Sequence, residues 1–75
     1  MNDIEKLTAY FIEIKGIRGR KARYFRSAGQ LLTLCDHSLE KAKEMLNKAK
    51  EWADKEGLEW ELETVTKKYL ELQNK

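Results

Sequence analysis

An all-α fold, a compact bundle of four short helices in a single helical domain over residues 1–75, is predicted by three observations. The chain contains no proline, alanine, leucine, lysine and glutamate dominate its second half, and its apolar residues recur at helical spacing. A chain of 75 residues makes one domain at most. So short a chain buries only roughly 60% of the surface its unfolded form exposes, so its core is thin.

At about 100° per residue, Ile4, Leu7, Phe11 and Ile14 share one arc, with Glu5, Lys6, Ala9 and Glu13 opposite, which predicts a first helix over about 3–15. Asn2 or Asp3 caps it, because either side chain can accept from an orphan N–H of the first turn. Gly16 stops it, and a left-handed glycine there brings Ile17 back against Ile12. A strand is the competing reading, since Tyr10, Phe11, Ile12 and Ile14 are good strand formers.

The second helix begins after Gly19 and runs to about Leu34. Tyr24, Phe25, Ala28, Leu31, Leu32 and Cys35 share one half-turn, and Arg20, Arg23, Arg26, Ser27 and Gln30 occupy the other. Three arginines thus fall at i, i+3 and i+6, while Lys21 starts on the apolar side and snorkels outwards. Gly29, inside this helix, costs roughly 1 kcal/mol against alanine, which implies that another helix crosses closely there.

Asp36-His37-Ser38 reads as a turn in which Asp36 or Ser38 caps the third helix. Leu39, Ala42, Met45, Leu46, Ala49, Trp52 and Ala53 form its apolar arc, and Gly57 ends it, with Leu58 folding back onto Trp52 and Ala53. Leu58, Trp60 and Leu62 alternate with glutamates before Leu62, Val65, Tyr69 and Leu72 resume helical spacing, giving a short extended piece and a fourth helix over about 61–73. Trp60 is expected to pack back over Trp52 and Leu62, because an exposed apolar trio is a poor surface for a small monomer.

The net charge of +2 conceals its distribution: residues 1–14 sum to −2, residues 15–35 to +6 and residues 36–75 to −2. The stretch Ile14–Arg26 holds six of the fifteen basic residues, two of the four glycines and no acid. Cations interrupted by glycines and followed by an aromatic pair suit a phosphate backbone, which side-chain charges and open N–H groups both attract. The expected binding residues are Lys15, Gly16, Arg18, Gly19, Arg20, Lys21, Arg23 and Arg26, and the expected partner is nucleic acid, DNA ahead of RNA. The competing reading is a protein-interaction or dimerisation module, with the arginine row docked on an acidic protein surface or a homodimer completing the thin core. Tyr24 is the aromatic best placed to serve both core and ligand.

Within this stretch, Ile14, Gly16, Ile17 and Ala22 stand where the helix-hairpin-helix motif has the apolar end of its first helix, its hairpin and the small residue opening its second helix, with Phe25 as the next apolar contact. Residues 7–32 therefore resemble that motif, which implies sequence-independent DNA binding. The second hairpin glycine is replaced by Arg18, with Gly19 one residue late, which moves the contact from backbone amides to side chains. Gly16-Ile17-Arg18-Gly19 is also similar to the GXXG loop of KH domains, but the three strands of that fold are not seen. Ala53, Gly57 and Thr64-Val65 are similar to helix-turn-helix positions, yet Glu61, Glu63 and Glu71 make the last helix a poor surface for a groove lined by phosphates.

No enzyme is expected. The only histidine, His37, falls in a turn, and the only cysteine, Cys35, falls on an apolar face where a thiolate is disfavoured. These two ligands fall short of the four that structural zinc requires, so neither metal nor other cofactor is expected. One cysteine allows no intrachain disulfide and suits a reducing cytoplasm. No apolar run long enough to span a bilayer and no secretory leader are read in the chain, so no membrane is expected.

Overall fold

The computed structural model describes residues 2–15 and 21–74, and the side chains of all of these but Lys15 and Lys21. It is all-α, with four short helices in the order α1 (Asp3–Lys15), α2 (Lys21–Leu34), α3 (Leu39–Glu56) and α4 (Leu62–Gln73). The competing strand over Tyr10–Ile14 is absent: that segment is helical throughout. Among the described residues no helix is long and apolar enough to cross a membrane.

Several of the described helix boundaries have an identifiable chemical cause. Asn2 caps α1, its Oδ1 accepting from the Glu5 N–H at 2.8 Å, while its carbonyl accepts the first helical bond from Lys6. Ser38 caps α3 by accepting from the Lys41 N–H through its Oγ at 3.3 Å. Asp36 has a different role from the expected cap. It lies at φ 54°, just past the end of α2, where its N–H donates to the Thr33 carbonyl and the next N–H, that of His37, to the Leu32 carbonyl. This is the paired helix stop usually built on glycine, made here on aspartate, one of the few residues that tolerates the left-handed region.

Gly57, at φ 70°, builds the same stop at the end of α3, with Leu58 N–H donating to the Ala53 carbonyl at 2.9 Å. A Cβ on Gly57 would meet nothing within 4 Å, so backbone conformation alone demands glycine there. The Leu58 side chain does not follow its backbone inwards and stays exposed. α4 starts without a side-chain cap at Glu61, and Asn74 closes it by donating its N–H to the Leu70 carbonyl. The expected stop at Gly16 and the contact between Ile17 and Ile12 lie outside the described residues.

Contacts divide the chain into two units, Met1–Lys43 and Glu44–Lys75, the boundary falling within α3. In the first unit α1 packs on α2. Leu7, Thr8 and Phe11 supply the α1 side, and Tyr24, Ser27, Ala28, Leu31 and Leu32 are buried on α2. The Phe11 and Tyr24 rings meet edge to face, centroids 4.8 Å apart at 70°, a geometry that sets the positive ring edge against the negative face. Thr8 is buried without loss because its hydroxyl donates to the Ile4 carbonyl at 2.7 Å. The Lys43 ammonium lies 4.9 Å from the centre of the Tyr10 ring, within cation–π range.

Two expectations for α2 are reversed: Phe25 is exposed, and Ser27 is buried. Placing Phe25 inside would turn α2 away from the arc of Tyr24, Ala28, Leu31 and Cys35, which carries more apolar area in total. The small Ser27 fits at the other edge of that arc. Gly29 does not mark a helix crossing too close for a side chain. A Cβ there would sit 3.7 Å from Ile4 Cδ1, ordinary contact. Gly29→Ala should therefore stabilise the protein by roughly 0.5–1 kcal/mol through helix propensity, read as a higher denaturant midpoint; a lower midpoint would mean that α1 lies closer than this.

In the second unit Ala49, Ala53 and Val65 form a buried cluster of small side chains, with the partly buried Trp52, Trp60 and Tyr69 packed against it. Leu46, Leu62 and Thr66 are also buried. Trp60 thus packs on alanine and valine, and Leu72, expected on the apolar arc of α4, is exposed. The outer face of α3 carries ion pairs at i, i+4, Glu44 with Lys48 at 3.7 Å and Lys50 with Asp54 at 2.7 Å. Exposed pairs of this kind contribute only about 0.3–0.5 kcal/mol each.

Candidate nucleic-acid interface

Of the expected binding residues, the structure describes the side chains of Arg23 and Arg26, both on α2. Arg23 and Arg26 lie on its first two turns with exposed side chains. Lys15 ends α1 and Lys21 begins α2, so these two basic positions flank the connection between the helices. Gly16, Arg18, Gly19 and Arg20 lie outside the described residues, and with Arg20 goes the first member of the expected arginine row.

The charge placed on α2 opposes what helix stability favours. A helix N-terminus carries partial positive charge and is stabilised by acidic residues in its first turn, by about 0.3–1 kcal/mol each. α1 has Asp3 and Glu5 there, α3 has Glu40 and α4 has Glu63, while α2 has no acid in its first turn. Lysine and arginine stand there instead, and no basic residue occupies its last turn. Fixed cations and the helix dipole therefore add at this end, raising the potential that an anion meets. On α3, Lys48 and Lys50 are partnered by carboxylates of their own helix, which offsets their charge locally.

The aromatic pair beside these cations divides its roles. Tyr24 is 6% exposed and committed to Phe11, so it belongs to the core. Phe25 is 37% exposed and is the ring that α2 offers to solvent. Ala22, which the helix-hairpin-helix resemblance places on the packed face with Phe25, is exposed as well. The signal for this lay in the sequence: Phe25 is about 100° round the helix from Tyr24, at the edge of the apolar arc rather than within it.

Cys35 is buried, and burial pushes its thiol above the ordinary range, opposed by Lys41 and reinforced by Asp36. A thiol held neutral in this way is a poor nucleophile at neutral pH. Among the described residues no group of three or more histidine, cysteine, aspartate or glutamate side chains is placed to hold a metal ion. No family model, curated protein or solved structure matches the chain.

Proposed function

We propose that this protein is a small non-enzymatic helical module that binds nucleic acid non-specifically, DNA in preference to RNA, through the basic connection between α1 and α2 and the first turns of α2. The observation that carries this reading is the placement of charge: residues 15–35 hold six cations and no acid, on and before the one helix whose first turn lacks an acidic residue. Phosphates neutralised by such side chains release condensed counterions, and the contact needs no base-specific geometry. Arg23 and Arg26 act from the exposed side of α2, and Lys15, Arg18, Arg20 and Lys21 extend the same positive field along the chain.

The test is a salt titration. The protein should bind mixed-sequence duplex DNA weakly, with affinity falling steeply as salt rises. Replacing Arg20, Arg23 and Arg26 together by glutamine should flatten the dependence of log affinity on log salt, by about 0.9 for each phosphate that is no longer neutralised, without loss of helicity. Absence of binding to both duplex and single-stranded DNA at low salt would replace this reading by docking of the arginines on an acidic protein surface.

A further inference from the structure

We infer that the nucleic acid this surface prefers is single-stranded, with Phe25 as the platform on which an unpaired base stacks; the inference rests on the reading just proposed. Phosphate contacts alone give a single strand no advantage, because the duplex carries the higher charge density. An exposed ring does, since only an unpaired base offers its face to it without disruption of a duplex.

Phe25 is 37% exposed and lies about 100° round α2 from Tyr24, whose ring meets Phe11. Its neighbours one turn away on the same strip are Ala22 and Gly29, both small. Ile4, itself 38% exposed, borders the strip, with Cδ1 3.7 Å from the position a Gly29 Cβ would occupy. Arg23 and Arg26 are exposed on the same two turns of α2 as Phe25, so cations that a nucleotide's phosphate can meet lie on the same stretch of helix as the ring. The occupant must therefore combine a flat apolar face with a negative charge, and an unpaired nucleotide does so. An apolar protein surface would gain nothing from the exposed Arg23 and Arg26 and would have to desolvate them.

The experiment compares short oligothymidylate, which forms no duplex of its own, with a mixed-sequence duplex at low salt, using the full-length protein and the variants Phe25→Ala, Phe25→Leu and Phe25→Tyr. The wild type should bind the single strand more tightly. Phe25→Ala and Phe25→Leu should each lose about tenfold on oligothymidylate, within the range that stacking of one base accounts for. Duplex affinity should stay within about twofold, and Phe25→Tyr should retain single-strand binding. Far-ultraviolet circular dichroism of each variant should match the wild type, because the ring is outside the core. Full retention by Phe25→Leu, an equal loss on both ligands, or wild-type binding without preference for the single strand would each overturn the stacking role and leave the proposed function standing. Failure of the wild type to bind either ligand would remove both.

Discussion

Phe11→Ala should be the most damaging simple substitution in the first unit, lowering stability by roughly 3–5 kcal/mol, the range for removal of a buried aromatic ring. Phe11 is fully buried and meets Tyr24 edge to face, so the variant forfeits the ring pairing as well as apolar burial and leaves a void that α1 and α2 cannot both close. A domain of this size has about 4–11 kcal/mol in all, so much of the helical signal should be lost at 37 °C. Phe25→Ala, on the exposed flank of α2, should cost no more than about 0.5 kcal/mol. The two variants differ only in which phenylalanine is removed, and their urea midpoints measure which face of α2 is inside. Equal destabilisation would show that the assigned face is wrong.

Trp60→Ala should lower stability by about 2–3 kcal/mol, somewhat less than the full cost of a buried ring because Trp60 keeps part of its surface in water. It leans on Ala49, Ala53 and Val65 beside Trp52 and Tyr69, and these small side chains cannot expand into the space it leaves. Leu58→Ser, two residues earlier, removes an exposed side chain and should leave the melting temperature nearly unchanged. If Trp60→Ala melts with the wild type, and the wild-type tryptophan emission is that of water-exposed indole, the ring serves an interface. The protein-interaction reading would then displace nucleic-acid binding.

The candidate site was legible in the sequence as charge and only partly as geometry. A run of cations without acids is a property of composition, and no folding step alters it. Which aromatic faces the cations is a property of helix rotation. Tyr24 and Phe25 are chemically close and adjacent, so periodicity centred on their mean position and assigned both to the core. The partner ring on α1 decided between them, because Phe11 accommodates one ring edge to face and leaves the next residue outside.

By itself the sequence determined where α1 begins and where α3 begins and ends. Asn2, Ser38 and Gly57 act through hydrogen bonds and backbone preferences reaching no further than the adjoining turn, and such short-range causes can be read residue by residue. Helical spacing likewise placed Leu7, Phe11, Leu31, Leu46, Ala49, Ala53 and Val65 inside. Tertiary structure decided the edges of those arcs: Ser27 and Thr66 buried, Phe25, Leu58 and Leu72 exposed. A side chain at the margin of an apolar face has nearly the same claim to either side by its own hydrophobicity. Its burial depends on whether another helix supplies surface to cover it, and that surface comes from residues distant in the chain.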